Sequence, residues 1–490
     1  MFEDVNEGLG SRTQGRFFCL ILSLHPSRRY DTLLVAVVCF MVFSFMKKYA
    51  YIYLISTLIC LVVLIGHFVA SHGEYGKYFF WRDEADTGMD FVNCLAEAVG
   101  GDPYSGYGSS YPSVASAYFY ALQSVLPEEV TSTIPGTHDD VVGLRRTPLE
   151  LRTHQSVLML LILHSVLSAM IIFCAVIYKF RHYGTLPAMA MGAAAISTYG
   201  CISALERGNI ILLSSGLLMI FLFGYNSSDK RIRILSYLCL VLASCIKMYP
   251  ALFALMLFDG KRSRKSLAVT LSCIFLTGSG LTVAAFQLFR GFKDIPVFVS
   301  NLLCFSGGSA DDIIYRYGMR GIVEHFIIEL FKRTDILLLS KDTIGSVMLL
   351  VAVLGLGFSL YMHLRHHDDP YMAAFDIALI AVLVQTQSSD YTLTLFIPVL
   401  LMLIYADPSI DVISIGYLAL LMVFVLPYYT RPLSDPYGLT VHHADIVQLA
   451  LLSSVGFEII VFNHGDGSLI ELVDRLRHQA SLTSVKQASI

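Results

Sequence analysis

The sequence has little charge for its length. Asp, Glu, Lys and Arg make up 15% of its 490 residues, whereas a soluble globular protein has about 25%. Hydrophobic residues make up 55%, and the mean hydropathy is +0.64. This composition excludes the three soluble domains that the length alone would allow. It predicts a polytopic membrane protein.

An excess of one charge sign, abundant cysteine and the common cofactor motifs are also missing. The 34 Lys and Arg residues nearly balance the 38 Asp and Glu residues, which argues against a nucleic-acid partner. Ten cysteines are too few for a disulfide scaffold, and most lie in apolar runs, where cysteine behaves as a small hydrophobic residue. No Walker A, dinucleotide-binding or G-x-S-x-G motif is present, so no cofactor is predicted.

Long apolar runs dominate the chain instead. A membrane-spanning helix needs about 20 apolar residues, and the runs, several of them short, predict an all-α fold with about 11–13 transmembrane helices. The candidate spans are residues 31–46, 50–70, 155–178, 184–203, 209–225, 234–246, 249–258, 266–289, 343–362, 373–386, 391–405, 411–427 and 445–463. We therefore expect an N-terminal tail at 1–30, a transmembrane domain at 31–463 and a cytoplasmic tail at 464–490, with longer loops at 71–154 and 290–342.

Basic residues cluster between the runs and predict the orientation. The clusters are Lys47–Lys48, Lys179–Arg181, Lys230–Arg233 and Lys261–Lys265. Because cytoplasmic loops carry the excess of Lys and Arg, these clusters are expected in the cytoplasm and the loops 71–154 and 290–342 outside. The last two clusters can share a side only if residues 234–258 fold back. Lys247 and Pro250 mark the expected turn, since proline cannot continue a helix.

The second outer loop contains an amphipathic stretch. Residues 315–333 have apolar side chains at helical spacing with charges between them. This pattern predicts a helix on the outer leaflet, and a structural cover is the alternative.

Acidic and aromatic residues are concentrated in the first outer loop. Asp86 and Asp90 would share a face if their segment is helical, and they could act as a base or hold a divalent metal. Tyr104 and Tyr111 follow among Gly and Pro residues, which indicates a structured loop whose tyrosines could stack on sugars. The alternatives are a solvated acidic loop with an interfacial aromatic belt.

Three more polar segments interrupt apolar runs. They contain Arg207 and Asn209, Lys247 and Tyr249, and Asp390 and Tyr391. Ionisable residues at membrane depth are costly and usually face a cavity or a partner. Each segment also has a plainer explanation. Arg207 could form an ion pair that ends a helix, Lys247 could snorkel to the headgroups, and Asp390 could be a helix N-cap. Together with Asp90, these segments lie outside in the predicted topology, and a carboxylate beside cations suits group transfer from a lipid phosphate.

Two histidine-rich stretches are weaker signals. His363, His366 and His367 precede two aspartates on the predicted cytoplasmic side. They could bind a metal, but we favour a solvated interfacial cluster. His442, His443 and Asp445 on the predicted outer side are a weaker metal candidate, and no metal site is predicted.

The order of these motifs resembles glycosyltransferase family 87, within the C-type superfamily of integral-membrane glycosyltransferases. The motifs run from Asp90-Phe91 through Gly101-Asp-Pro-Tyr104, Tyr111-Pro112, Glu206-Arg-Gly-Asn209 and Lys247-Met-Tyr-Pro250 to Ser389-Asp-Tyr391. The resemblance implies that Asp90 is the catalytic base, with Asp86 as second choice. Two departures are Tyr391, where the family often has histidine, and Ser113, where it has a second proline.

The resemblance also implies a reaction. The enzyme would transfer a sugar, mannose favoured, from a polyprenyl-phosphate donor to a glycolipid or lipid-linked cell-envelope glycan outside the membrane, with a bacterial cytoplasmic membrane favoured. We expect an inverting single displacement, with Lys247, Arg207 and Tyr391 at the donor phosphate. Substrate contacts would come from Asp390, Tyr249, Tyr104, Tyr111 and Asn209.

A transporter or flippase for a lipid-linked sugar is the alternative function, since it also needs intramembrane charges and a cavity. Membrane lipids are expected partners of either protein. The early loop with its acidic residues favours the enzyme.

Overall fold

A computed structural model describes most of the chain. The described residues are 47–72, 87–98, 102–104, 109–131, 154–307, 317–323, 325, 341–366, 369–385, 389–428, 433–434, 440–441 and 443–464. Asp86, the candidate span at 31–46, the tail at 1–30 and residues 465–490 lie outside them. The predictions for these segments stay predictions.

The first half of the described chain is mostly helical. Its α-helices are α1 (Lys48–Ala70), α2 (Met89–Ala98), α3 (Ser113–Gln123), α4 (Glu128–Thr131), α5 (Gln155–Phe180), α6 (Thr185–Ile196), α7 (Tyr199–Arg207), α8 (Ile211–Gly224) and α9 (Lys230–Ile246). A short 3₁₀ helix (Arg181–Tyr183) follows α5, and a longer one (Tyr249–Phe258) follows α9.

The second half continues the bundle. Its α-helices are α10 (Arg264–Phe286), α11 (Asp294–Gly307), α12 (Lys341–His366), α13 (Pro370–Leu383), α14 (Phe396–Ala406), α15 (Val412–Val425) and α16 (His443–His464), with 3₁₀ helices at Gly291–Lys293 and Asp390–Leu395. The antiparallel pair β1 (Leu433–Ser434) and β2 (Thr440–Val441) is the sole sheet within the described residues. The all-α membrane fold is confirmed.

Helix length divides the apolar segments into two groups. By length and composition, the candidate spans among the described residues are Lys48–Ala70, Gln155–Tyr183, Arg264–Phe286 and Thr343–Arg365. A fifth forms if α6 and α7, bent by 60° at their junction, are one broken span. Five other apolar helices have 10–17 residues, too short for the usual span of about 20. The total of 11–13 spans stays a prediction.

Two hydrophobic clusters position the site. The larger one is formed chiefly by α8, α13, α14 and α15. The smaller one packs α2 and α3 against α5 through fully buried Phe91, Phe119 and Val157. Burying a side chain of this kind stabilises the fold by about 1.5–3 kcal/mol, so the predicted first outer loop is anchored to the bundle here.

The predicted fold-back of residues 234–258 agrees with the structure. Helix α9 ends at Ile246, and the 3₁₀ helix that follows leads to Arg262. The Arg262 guanidinium donates to the Tyr225 carbonyl at 3.0 Å and to Asn226 Oδ1 at 2.7 Å, in the turn just before α9. The beginning of α9 and the end of the 3₁₀ helix therefore lie at the same end of the bundle.

The other basic clusters lie at that same end. Lys179 Nζ is 3.7 Å from the centroid of the Tyr405 ring and 5.6 Å from that of Phe223. Lys47 pairs with Asp407 at 3.8 Å. We call this the basic end. Helix α8 has 14 residues and rises roughly 21 Å at about 1.5 Å per residue, so the segment before α8 lies at the opposite end.

Two predictions differ from the structure. In the predicted amphipathic stretch 315–333, Tyr317 and Ile322 are fully buried in the larger cluster, so this described part packs inside the protein. The rest of the stretch, apart from residue 325, lies outside the described residues. His363 is 8% exposed, so the solvated interfacial setting expected for it is wrong. It lies on the buried face of α12 with Ser359 and Leu360, whereas Tyr361 on the same helix is 50% exposed.

Candidate active site

Asp90 lies in the first turn of α2, at the end of the bundle opposite the basic end. The residue before this helix, Gly88, has φ +68° and donates its N–H to the Glu206 carbonyl at 2.8 Å. This backbone hydrogen bond fixes the beginning of α2 against the last turn of α7. Asp90 is thereby brought beside Arg207, the last residue of α7.

Three N–H groups hold the Asp90 carboxylate. Arg207 Nε donates to Oδ2 at 3.0 Å and Arg207 Nη2 donates to Oδ1 at 2.9 Å. Asn209 Nδ2 donates to Oδ2 at 2.6 Å. Bidentate pairs of this kind are strong and geometrically specific. The side chains of Asp90 and Arg207 remain 15% and 29% exposed, so the pair is open on one side.

Gly208 makes this arrangement possible. It ends α7 in the left-handed region at φ +64°, which favours glycine. A Cβ here would lie 2.5 Å from Leu161 Cδ1 and 2.7 Å from Phe91 Cβ. Asn209 then accepts the Ile211 N–H on its Oδ1 at 2.9 Å, so one amide side chain begins α8 and holds Asp90 as well.

Lys247 enters the same region from the break after α9. Its backbone is extended (φ −137°, ψ 134°), and its Nζ lies 3.9 Å from the centroid of the Tyr111 ring. Removal from water lowers the pKa of the Lys247 ammonium from 10.5 to about 8, while the nearby Asp90 acts in the opposite direction. Tyr111 directly precedes α3, and burial raises the pKa of its hydroxyl well above 10.

The late polar segment completes the group. Tyr391, in the 3₁₀ helix before α14, interacts electrostatically with both Asp90 and Arg207. The Tyr249 hydroxyl interacts with Tyr391 and has no hydrogen-bond partner among the described residues. Four segments that are distant in sequence thus meet around one carboxylate. We call Asp90, Arg207, Asn209, Lys247 and Tyr391 the polar site.

Asp390 faces a different set of side chains. Its Oδ2 accepts a hydrogen bond from the Tyr199 hydroxyl at 3.0 Å, and its Oδ1 accepts one from the Tyr317 hydroxyl. The sequence did not link either tyrosine to Asp390, because Tyr199 and Tyr317 are 191 and 73 residues away from it along the chain. The two hydrogen bonds make Asp390 an anchor of the 3₁₀ helix that carries Tyr391.

His443 adds an imidazole to this neighbourhood. It begins α16, its ring centroid lies 4.0 Å from that of Tyr199 and 4.9 Å from that of Tyr428, and it interacts electrostatically with Asp390. Both ring nitrogens are buried, with no hydrogen-bond partner among the described residues. The sequence indicated His443 only as a weak metal candidate.

Tyr104 is placed apart from the polar site. Its side chain is fully buried, with its ring against Phe286 and Phe298 at centroid distances of 5.5 and 5.7 Å. Its hydroxyl donates to the Tyr111 carbonyl at 3.2 Å. In this structure Tyr104 supports the loop that carries Tyr111, and its ring presents no face to a substrate. Stacking of Tyr104 on a sugar stays a prediction.

The fold and the site define a multi-helix membrane protein with a held carboxylate and a lysine at one end of its bundle. The model of glycosyltransferase family 87 matches residues 147–389, about half of the chain. The chain belongs to glycosyltransferase family 87 and is therefore a membrane glycosyltransferase. None of the curated proteins compared with it matches.

Only part of the polar site lies within the residues that match the family model. Its residue range includes Arg207, Asn209, Lys247 and Tyr249 but begins after Asp90 and ends before Asp390. The role of Asp90 therefore depends on geometry, chiefly on its hydrogen bonds to two residues inside the matched range.

Proposed function

We propose that this glycosyltransferase uses a polyprenyl-phosphate-linked sugar, mannose favoured, and transfers it to a glycolipid or lipid-linked glycan. The polar site would face the outside of a bacterial cytoplasmic membrane. The observation that carries the proposal is the Asp90 carboxylate, held by Arg207 and Asn209 beside Lys247. Its position opposite the basic end supports the outer face, because basic clusters favour the cytoplasm.

Asp90 is suited to act as the general base. A carboxylate offers about four acceptor positions, and the described N–H donors use two on Oδ2 and one on Oδ1. One position on Oδ1 is left for an acceptor hydroxyl. As that hydroxyl oxygen bonds to the anomeric carbon, its proton passes to Asp90. The bond from carbon to phosphate oxygen breaks with its electron pair on the phosphate, and this single displacement inverts the anomeric configuration.

Lys247 is suited to stabilise the leaving phosphate. Two N–H groups of Arg207 already serve Asp90, so we assign Arg207 chiefly to positioning the base. This revises the phosphate-binding role that we predicted for Arg207 from the sequence. The Lys247 ammonium supplies the positive charge, and the hydroxyls of Tyr249 and Tyr391 supply hydrogen bonds. Fixed donors aimed at developing charge are a large source of catalysis.

His443 is a further candidate for the donor phosphate. The family often has histidine after the late aspartate, and Tyr391 occupies that position here. Helix α16 brings an imidazole beside Asp390 from another part of the chain. Burial lowers the pKa of His443 from 6.5 to about 4, so a neutral His443 would supply a hydrogen bond in place of the missing histidine.

The test is sugar transfer by the full-length protein in detergent, with a polyprenyl-phosphomannose donor and a mixed membrane-lipid acceptor. Released polyprenyl phosphate is the readout. We expect wild-type turnover and a loss of about a hundredfold or more in Asp90→Asn, the low end for a lost general base. Asp259→Asn is the matched control, because Asp259 also pairs with an arginine, Arg262 at 3.0 Å, but at the basic end.

Other outcomes would change the proposal in defined ways. Full activity of Asp90→Asn would contradict the base assignment and direct the search to Asp86. If wild type is inactive with a panel of polyprenyl-phosphate sugars, the donor class is wrong. Movement of a lipid-linked sugar across vesicles would then favour the flippase.

A further inference from the structure

Three ionisable side chains meet inside the bundle, away from the polar site. His363 comes from α12, Asp376 from α13 and Glu458 from α16, and one donor atom from each lies within 4.8 Å of the others. His363 Nε2 is 3.3 Å from Glu458 Oε2 and 3.7 Å from Asp376 Oδ2. Asp376 and Glu458 each interrupt an otherwise apolar helix segment.

These groups are withdrawn from water. His363, Asp376 and Glu458 are 8%, 0% and 1% exposed. Neither Asp376 oxygen has a hydrogen-bond partner among the described residues, and Glu458 Oε1 lacks one as well. Two buried carboxylates with so few donors are costly, and such residues in a membrane segment usually have a function. A positively charged partner would compensate the carboxylate oxygens that lack a hydrogen-bond donor.

We propose that His363, Asp376 and Glu458 bind a divalent transition-metal ion. Donor atoms bound at about 2.0–2.2 Å in a tetrahedral arrangement lie about 3.3–3.6 Å apart, close to the 3.3 and 3.7 Å separations from His363 Nε2. Imidazole with two carboxylates suits Zn²⁺ or Mn²⁺. The two charges of the ion balance the two carboxylates, so the site becomes neutral inside the membrane.

The surroundings have the features of a metal site. Ser359 Oγ donates to Glu458 Oε2 at 2.9 Å, which orients one ligand as outer-shell partners commonly do. Tyr417 interacts electrostatically with Glu458 and Asp376, and its ring packs against Phe375 and Phe457 at centroid distances of 5.2 and 5.1 Å. Because the three ligands are buried, the ion would have a structural role.

The ion would join three helices that are separate in sequence. Helix α13 leads to the 3₁₀ helix that carries Asp390 and Tyr391, and α16 begins at His443. A metal bond between α13 and α16 therefore fixes the helices on which part of the candidate active site is built.

The experiment measures metal in the full-length protein, purified in detergent without added metal. We expect about one equivalent of Zn²⁺ or Mn²⁺ per chain by mass spectrometry of the elements. Stripping with a chelator should lower the midpoint of thermal unfolding, and Zn²⁺ or Mn²⁺ alone should restore it. Asp376→Asn and Glu458→Gln should lose the equivalent and the response. His164→Gln, which changes another buried histidine, bonded to Tyr118 at 2.8 Å, should keep both.

Two results would overturn the proposal. The first is wild-type protein that contains no metal and whose unfolding midpoint does not respond to either ion; protons would then neutralise the carboxylates. The second is a metal equivalent that persists in both ligand variants, since the ion would then lie elsewhere. The wild-type measurements decide the matter even if a variant fails to fold, and they need no substrate.

Discussion

Arg207 and Asp90 form a bidentate ion pair across 117 residues of chain, with N–O distances of 2.9 and 3.0 Å. The planar fork of the guanidinium matches the two carboxylate oxygens, so the pair fixes both the position and the rotation of the carboxyl group. A proposed general base is thus held in one orientation by a cation that the sequence alone would assign to the phosphate.

Arg207→Lys tests this positioning role. Lysine keeps the charge but cannot make two parallel hydrogen bonds, so Asp90 should rotate away from its productive orientation. We expect kcat to fall by about tenfold to a hundredfold, on the scale of a 1 Å misplacement, with the donor KM nearly unchanged. A phosphate-binding Arg207 would instead raise the donor KM. Arg262→Lys at the basic end is the control for the loss of a buried arginine pair.

Lys247 predicts an alkaline limit to activity. Its pKa is about 8 in the free protein, and the donor phosphodiester stays anionic over this range. As pH rises through about 8 the ammonium loses its proton, so kcat/KM for the donor should be level below pH 8. Above it, kcat/KM should fall about tenfold per unit, as expected for one essential protonated group. The measurement is kcat/KM against pH from 6 to 10.

Deprotonation of Lys247 does not destabilise the fold, so unfolding caused by this residue would not explain the fall of kcat/KM above pH 8. The pKa of Lys247 is lower in the folded protein than its ordinary 10.5, so between these values the unfolded chain binds more protons. The free energy of unfolding contributed by this group therefore rises with pH. The arginine in Lys247→Arg keeps its charge over the whole range from pH 6 to 10, so this variant should move the alkaline limit upward. An unchanged profile in that variant would contradict the assignment.

Gly208→Ala should disturb the polar site through the backbone. The added Cβ meets Leu161 and Phe91 at 2.5 and 2.7 Å, at a positive φ, so Arg207 and Asn209 must shift relative to Asp90. We expect a loss of about 1–3 kcal/mol in the free energy of unfolding, typical of a strained or overpacked position, and a larger fractional loss of transfer activity. Gly280→Ala is the matched control, because nothing lies within 4 Å of its Cβ.

The sequence predicts the helices of this protein well but not their contacts. Every candidate span from 50–70 onward contains a helix, because apolar runs of this length have few alternatives in a membrane. The turn at Lys247 was predictable from Pro250 and the charge of the flanking clusters. The partner of Asp90 was not, since many cations lie in similar positions and only packing of α2 against α7 selects Arg207.

The histidines show the same limit. His363 stands next to charged residues in sequence, which favours an exposed site, yet packing of α12 against α13 and α16 buries it. Asp376 and Glu458 are lone acids in apolar runs, a signal of function on general grounds. Their convergence on one histidine needs the tertiary structure.

His443→Phe tests the imidazole beside Asp390. The Tyr199 and His443 ring centroids are 4.0 Å apart. Phenylalanine keeps a planar ring against Tyr199 but removes both nitrogens, so packing is retained while hydrogen bonding is lost. We expect the donor KM to rise by about tenfold, the effect of losing one hydrogen bond to a charged group, with little change in the midpoint of thermal unfolding. Donor titrations of turnover give KM, and His164→Phe controls for replacement of a buried histidine. Unchanged donor KM in His443→Phe would remove His443 from the site and leave Lys247 as the cation for the phosphate.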